Sequence, residues 1–176
     1  RRGRAAGPAG MIGSVASRTI PGVDPHAERG PVRRAFYSFG QSKAGRWYGI
    51  NIGSRIDPPL LRITRGRFAT TSLLPLVLLH VRGARSGELR TIPLVYFTEG
   101  DDVILIASSF GRAKNPAWYY NLLANPDVEL TAGGLTVPYR SEQVADEAER
   151  SRLFKLGVAN FEGYGNYERM AGDRRI

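Results

Sequence analysis

The chain has no cysteine and only two histidines among its 176 residues. The lack of cysteine excludes a disulfide framework and thiol chemistry, and it fits a cytoplasmic protein. No run of about 18 apolar residues is present, so we expect no membrane-spanning segment. The sequence also lacks a Walker loop, a G-x-S-x-G elbow and a strand–G-x-G-x-x-G–helix unit. An enzyme with this sequence would therefore depend on a bound cofactor for its chemistry.

Metal chemistry is not expected either. His26 and His80 lie far apart in the sequence, and no cluster of His, Asp and Glu has the spacing of metal ligands. His80 falls inside the apolar segment LPLVLLHV, which has the length and composition of a buried strand. This position favours a structural role for the His80 ring.

Positive charge is concentrated in the first 70 residues. They hold 13 Lys and Arg against 3 Asp and Glu, whereas residues 71–176 hold 12 against 13. A basic segment of this kind suits an anionic partner such as a membrane surface, or it is a flexible, solubilising arm. We predict a flexible basic leader over residues 1–30 and one domain over residues 31–176. Nucleic acid is not an expected partner, because no recognised nucleic-acid-binding module is present.

Residues 31–68 have the pattern of basic helices. Apolar and basic positions alternate in PVRRAFYSFGQSKAGRWYGINIG at helical spacing, and Asp57 before two prolines predicts the start of a second helix. Such helices pack on their own domain or lie on an anionic membrane surface. Packing is the favoured interpretation. The alternative would place the protein peripherally on the inner face of the cell membrane.

Residues 69–176 have the pattern of an antiparallel barrel. LPLVLLHV, RTIPLVYF and VILIA predict three strands with short connections, and VELTAGGLTVPYR predicts a hairpin. Asn115 and Pro116 predict the cap and first residue of a helix, and Asp146 predicts the cap of another. Pro93 predicts an edge or a bulge in the second strand, because it donates no backbone hydrogen bond. The resulting fold class is α+β: mainly β, a small barrel or curved sheet with flanking and N-terminal helices.

The connection RGARSGELR between the first two strands is rich in arginine and glycine. Arginine forks match phosphate and carboxylate groups, and glycine-rich turns expose backbone N–H groups to anions. An ordinary hairpin tip needs only one turn glycine and little charge. From the residues alone, a charged hairpin tip and an anion-binding loop remain equal alternatives.

Two further stretches have the composition of a ligand site. In ASSFGRAKNPAWYY a polar loop leads into a helix N-terminus, which favours anions or electron-rich ring edges. In FEGYGNYERM, Phe161, Tyr164 and Tyr167 recur every three residues and share one face of a helix or turn. These aromatic side chains suit a flat apolar ligand with polar edges, or they cover one end of the barrel.

Three stretches carry a resemblance to a known family: RGARSGELRTIPLVYF, ASSFGRAKNPAWYYNLLANPDVEL and FEGYGNYERMAGDRRI. They resemble the deazaflavin-dependent nitroreductases, the coenzyme F420-dependent reductases of split β-barrel fold, over about residues 57–176. The resemblance implies hydride transfer from reduced coenzyme F420 to a small-molecule acceptor: an enone, a quinone or a nitroaromatic. FMN is the alternative cofactor. The alternative functions are an FMN- or haem-binding split-barrel protein and a non-enzymatic membrane-surface-binding module; the chain is a monomer or a homodimer.

The resemblance also implies roles for particular residues. The loop from Gly83 to Arg90 would hold the phosphate and glutamate tail of the coenzyme, and the segment from Ala107 would line its ring. The implied cofactor-binding residues are Arg82, Ala84, Arg85, Ser86, Gly87, Arg90, Pro93, Ala107, Ser108, Ser109, Asn115 and Trp118. The implied substrate-binding residues are Phe110, Phe161, Tyr164 and Tyr167. Ser108, Tyr164 and Tyr167 are the implied catalytic residues, with solvent as an alternative proton source.

Overall fold

The computed structural model describes residues 19–27, 30, 63, 74–172, 174 and 176. The strands are β1 Leu76–Arg82, β2 Leu89–Glu99, β3 Asp102–Leu105, β4 Asp127–Ala132 and β5 Leu135–Arg140. The helices are α1 Ala117–Ala124, α2 Glu147–Asn160 and α3 Gly163–Met170. The predicted leader lies largely outside the described residues. Of the predicted helical segment 31–68, the structure describes only Ile63, which is helical.

The strands form one antiparallel sheet in the order β3-β2-β1-β4-β5. Gly133 and Gly134 join β4 to β5 with φ angles of 58° and 84°. Positive φ at both positions is what a two-residue type I′ hairpin requires, so the glycine pair sets this turn. The sheet curls into a half-barrel flanked by helices, which confirms the predicted mainly β, α+β fold.

One face of the sheet forms the hydrophobic core. Val77, Leu79 and Val81 alternate along β1 on this face and are at most 1% exposed. Burial of each such side chain contributes about 1.5–3 kcal/mol. Trp118 and Leu122 of α1 pack against the same cluster. The core-facing residues of β1 therefore also contribute to the position of α1 against the sheet.

His80 lies on the opposite face of β1 and joins three strands. Its Nδ1 lies 3.0 Å from the Thr91 hydroxyl of β2, and its Nε2 lies 2.9 Å from the Thr131 hydroxyl of β4. Both ring nitrogens thus have partners in neighbouring strands. This is the structural role that the sequence predicted for His80.

Pro93 pairs with β1 on one flank of β2. Its register with β1 is continuous and places it opposite Leu78, without a bulge. Pairing of β2 with β3 runs only from Tyr96 to Glu99, so it does not reach Pro93. Within the described residues, Pro93 therefore has a strand partner on one side only, which agrees with the predicted edge position.

The predicted helix caps have different outcomes. Asp146 caps α2, because its Oδ1 accepts the Glu149 N–H at 2.8 Å, as predicted. The cap predicted for α1 is wrong: Pro116 is the cap residue, with an extended ψ of 154°, and the helix begins at Ala117. The Asn115 side chain instead accepts a hydrogen bond from Arg174, so this contact takes the place of a capping one.

Candidate functional site

The arginine-rich connection is a tight hairpin loop. β1 ends at Arg82 and β2 begins at Leu89, so the connection itself spans residues 83–88. Gly83 donates its N–H to the Glu88 carbonyl at 2.9 Å and accepts from Gly87 at 2.8 Å. Gly87 has a φ of 68°, and a Cβ on Gly83 would lie 2.6 Å from Ser86 Oγ. We call residues 82–90 the arginine loop; the positive φ of Gly87 favours glycine at that position.

The three arginines of this loop are exposed but differ in their contacts. Arg82 donates to the Gly87 carbonyl at 3.1 Å and thus braces the loop. Arg90 forms an exposed ion pair with Glu88 at 3.0 Å, a kind of contact worth about 0–1 kcal/mol. Within the described part of the chain, no hydrogen bond or ion pair involves Arg85. The guanidinium of Arg85 is therefore available to an anionic ligand. The guanidinium of Arg90 becomes available once its weak ion pair with Glu88 is broken.

Asn121 of α1 and Asn125, the residue that follows this helix, hold the arginine loop in place. Asn121, which is 8% exposed, accepts the Ala84 N–H at 3.0 Å. Asn125 donates from Nδ2 to the Arg82 carbonyl at 3.2 Å. Neither asparagine was predicted to belong to the site. Their spacing of four residues, which places them on one helix face, is the sequence signal that could have indicated a shared contact.

A second loop follows β3 and contains a strained turn. Ser109, Phe110 and Gly111 have φ angles of 51°, 54° and 75°. Left-handed backbone at a residue other than glycine costs on the order of 1–2 kcal/mol. At Gly111 a Cβ would lie 2.6 Å from the Met170 Cβ and 2.9 Å from the Tyr167 carbonyl oxygen. The left-handed turn, Ser109–Gly111, is therefore packed closely against α3.

Arg174 holds the same loop through four hydrogen bonds. Its guanidinium donates to the carbonyls of Ala107 at 3.0 Å, Ser108 at 2.7 Å and Arg112 at 2.8 Å. It also donates to Asn115 Oδ1 at 2.9 Å. Burial lowers the pKa of Arg174, yet an arginine remains charged at neutral pH. Arg174 was not among the predicted site residues, because contacts to backbone carbonyls leave no pattern in the sequence.

The left-handed turn meets an aromatic cluster formed by Tyr164 and Tyr167 of α3 and by Phe161, two residues before that helix. The Phe110 and Tyr167 centroids are 5.8 Å apart, Phe161 and Tyr164 are 5.2 Å apart, and Tyr164 and Tyr167 are 6.3 Å apart. Phe110 is 57% exposed, whereas Tyr164 is only 6% exposed. The structure thus brings together the four residues predicted to contact substrate, with Tyr164 at the buried end.

The remaining predicted site residues divide between the two faces of the sheet. Ala107, Asn115 and Trp118 line an open cavity of about 830 Å³ against the core face. Pro93 is paired with Leu78, whose side chain points to the face opposite the core residues of β1. Pro93 therefore does not share a surface with the other predicted cofactor-binding residues near the turn.

Helix α1 connects the two parts of the candidate site. The left-handed turn and Asn115 precede its first residue, Ala117, and the asparagines that hold the arginine loop lie at and just after its last turn. Eight helical residues extend about 12 Å. The structure therefore sets an exposed cationic loop and an aromatic turn at the two ends of one short helix.

Membrane-spanning helices and metal sites are both absent from the described residues. No helix among them has the length and apolar character needed to cross a membrane. No group of three or more His, Cys, Asp or Glu side chains in the same residues could hold a metal ion. The basic helices considered for membrane contact fall in residues 31–68, outside the described part of the chain except for Ile63.

Comparison with known proteins identifies the family. Residues 54–176 match the F420H(2)-dependent quinone reductase family. The F420H(2)-dependent quinone reductase of Mycobacterium tuberculosis H37Rv is 32% identical over 130 residues, which are 70% of this chain and 87% of that protein. The family match covers the arginine loop, the left-handed turn and the aromatic cluster.

Solved structures agree with this assignment. An F420-H2 dependent reductase, FDR-A, shares 35% identity and a TM-score of 0.53, covering 58% of this chain and 89% of its own. A structure described as a domain-swapped dimer shares 32% identity and a TM-score of 0.54, covering 68% and 90% respectively. The predicted split-barrel reductase fold is confirmed. The chain belongs to the F420H(2)-dependent quinone reductase family, a family of oxidoreductases whose cofactor is coenzyme F420.

Proposed function

We propose that this chain reduces quinones with reduced coenzyme F420, holding the coenzyme tail on the arginine loop and its ring beside the left-handed turn. The observation that carries this proposal is the placement of the two sites at opposite ends of α1. A cationic loop at one end of a helix and an aromatic turn that precedes its other end suit a ligand with a flat ring at one end and a charged tail at the other. An ion-binding loop alone would require no aromatic cluster beyond the opposite end of that helix.

The arginine loop has the chemistry that the coenzyme tail requires. Phosphate and glutamate carboxylates are anionic, and Arg85 and Arg90 present exposed guanidinium groups on a loop that Arg82 braces. Glu88 would exchange its contact with Arg90 for solvent when an anion binds. The residues present thus fit the tail, with Ala84, Ser86 and Gly87 supplying the loop backbone around it.

The left-handed turn and its surroundings have the chemistry that the ring requires. Arg174 is hydrogen-bonded to Ala107, where the loop begins, and to Asn115, where it ends. These contacts hold Ser108 and Ser109, between the two ends, at a defined position. Exposed Phe110 and half-buried Tyr167 form an aromatic surface next to these hydroxyls. Such a surface suits a planar group that has polar edges.

Reduced coenzyme F420 supplies a hydride when bound, and the quinone needs one proton besides that hydride to become a hydroquinone. The protein aligns the two planar reactants and excludes water from between them. The Ser108 hydroxyl would donate a hydrogen bond to the quinone oxygen as negative charge develops. Tyr167 would supply the proton, with Tyr164 behind it in the cluster. The hydroxyl of Tyr167 would then regain a proton from solvent.

Quinones lead the proposed acceptors, because the M. tuberculosis relative is named a quinone reductase. Enones and nitroaromatics are the two further acceptor classes, since each accepts a hydride at an activated double bond or a nitro group. Steady-state oxidation of reduced coenzyme by menadione, an α,β-unsaturated lactone and a nitroimidazole would rank them. We expect kcat/KM for menadione to exceed the other two by about tenfold.

The same assay can refute the proposal. Folded protein that binds the coenzyme but leaves it reduced in the presence of menadione would contradict quinone reduction. Arg152→Ala serves as a control for nonspecific loss of charge, because the exposed Arg152 pairs with Glu99 and Glu149 and is not among the residues that line the cavity with Ala107 and Asn115. This variant should retain the wild-type rate.

A further inference from the structure

We infer that Arg174 is a positioning residue, which sets the backbone of residues 107–115 so that Ser108 and Phe110 meet the coenzyme ring and the acceptor. This inference rests on the proposed function. It adds a residue that, in the described contacts, touches neither the arginine loop nor the aromatic cluster. The role follows from the geometry of its four hydrogen bonds.

The four hydrogen bonds of Arg174 join the two ends of the loop. Ala107 and Ser108 are on the entry side of the left-handed turn, and Arg112 and Asn115 are on its exit side. A guanidinium has five N–H donors in a planar fork, and four bonds here use both terminal nitrogens and Nε. One side chain therefore holds the loop closed across the turn.

Closure of this loop offsets its strain. Ser109 and Phe110 both keep positive φ angles, a state that persists only where the surroundings enforce it. The Ser108 carbonyl also accepts the Gly111 N–H at 3.0 Å, so Arg174 and the turn share this oxygen. Without Arg174, the segments before and after the left-handed turn would lose their common contact. The turn would then be expected to relax.

Arg174 also determines which way one peptide group faces. The Ser108 carbonyl points toward the guanidinium. Because a trans peptide is planar, the N–H of Ser109 must point in the opposite direction. This donor is thereby kept pointing away from Arg174. The orientation would be lost in a relaxed loop even if the fold remained intact.

A lysine should not replace this arginine. The Lys ammonium is a compact group with three donors, whereas the Arg174 contacts extend over a planar fork from Nε to Nη2. Arg174→Lys retains the charge but removes that geometry. Arg174→Ala removes both. Comparison of the two variants therefore separates the effect of the positive charge from the effect of the four hydrogen bonds made by the planar guanidinium.

The control variant is Arg150→Ala. Arg150 is half-buried and also holds the C-terminal segment, donating from Nη1 to the Ile176 carbonyl at 2.6 Å, but it does not contact the loop. Hydrogen exchange of the ligand-free proteins gives a readout that needs no activity. We expect amide exchange in residues 108–114 to rise about tenfold in Arg174→Ala and Arg174→Lys, and to stay unchanged in Arg150→Ala.

Kinetics provide the second readout. In both Arg174 variants, kcat with menadione should fall about 30- to 100-fold, because small displacements of positioned groups have effects of this size. The coenzyme KM should change less than about threefold, since the tail-binding arginines are untouched. Added guanidinium ion should restore part of the kcat of Arg174→Ala, whereas ammonium ion should not.

Each result decides the inference. Unchanged loop exchange, or a kcat within about twofold of wild type per molecule that binds coenzyme, would overturn it. If Arg174→Ala is poorly folded, Arg174→Lys carries the same two tests. If wild-type protein binds the coenzyme but reduces no acceptor, the proposed function fails, and the exchange measurement still tests the positioning of the loop separately.

Discussion

The rings of Phe110 and Tyr167 meet edge to face, with an interplanar angle of 72° and centroids 5.8 Å apart. The contact joins a strained, exposed residue of the left-handed turn to helix α3. Such aromatic pairs contribute about 0.5–1.5 kcal/mol beyond the area they bury. This gain is similar in size to the backbone cost at Phe110, so the ring can hold the turn in its conformation.

Replacement of Phe110 should separate the ring contact from the backbone cost. Both Phe110→Gly and Phe110→Ala lose the contact with Tyr167, but only glycine adopts a φ of 54° without strain. We expect the glycine variant to be more stable than the alanine variant by about 1 kcal/mol in urea unfolding. Equal stability of the two variants would show that the left-handed conformation of this residue is not maintained in solution.

Replacement of the arginines should weaken coenzyme binding selectively. Arg85→Ala and Arg90→Ala each remove a guanidinium that we assign to the coenzyme tail, while the ring site is untouched. The coenzyme KM should rise about tenfold or more, with kcat within about twofold of wild type. Arg152→Ala is the matched control, because Arg152 is an exposed arginine in ion pairs, like Arg90. An unchanged KM in both loop variants would refute the tail assignment.

The tyrosines of the cluster should differ in their effect on proton delivery. Tyr167 lies against exposed Phe110, whereas Tyr164 is 6% exposed. Tyr167→Phe should lower kcat by about tenfold or more, and Tyr164→Phe should change it less. The measurement is kcat with menadione in water and in deuterium oxide. A wild-type rate and isotope effect in both variants would mean that solvent delivers the proton directly.

The ion pairs of Arg152 should make stability depend on acid pH. Hydrogen bonds from Arg152 hold the pKa values of Glu99 and Glu149 below their usual range. A carboxyl whose pKa is lowered on folding contributes stability above its unfolded pKa, and this contribution is lost as pH falls through the folded pKa. Arg152→Ala should therefore have a lower Tm than wild type at pH 7.

The difference in Tm between wild type and Arg152→Ala should begin to shrink below the ordinary glutamate pKa of about 4.3. Thermal unfolding followed by circular dichroism from pH 7 to pH 3 would measure it. A difference of the same size at pH 7 and pH 3 would contradict the pairing. Because all three side chains are exposed, salt should reduce the difference at neutral pH as well.

The sequence predicted the parts of this structure that depend on local patterns. The apolar run around Leu79, the glycine pair at Gly133 and the capping spacing at Asp146 each act over a few residues, and the structure contains all three. The aromatic cluster was also accessible, since Tyr164 and Tyr167 lie three residues apart on one helix. Local periodicity is thus sufficient for the strands, the hairpin and one face of the site.

The contacts that position the site were not predictable in the same way. Arg174 binds the Ser108 carbonyl across 66 residues of sequence, and a carbonyl is common to every residue. Asn115 illustrates the consequence: its side chain was predicted to cap α1 because only the local pattern was visible, whereas a distant arginine engages it instead. Long-range hydrogen bonds to backbone oxygens require the fold to be known first.

The preference of the ligand-free protein for coenzyme F420 over FMN tests the central claim most directly. Fluorescence titration with each compound would measure the two dissociation constants under the same conditions. The coenzyme should bind about 100-fold more tightly, because its phosphate and glutamate tail offers several anionic groups to Arg85 and Arg90, whereas FMN offers one phosphate. FMN binding of equal or greater affinity would contradict the assignment of coenzyme F420 to this site.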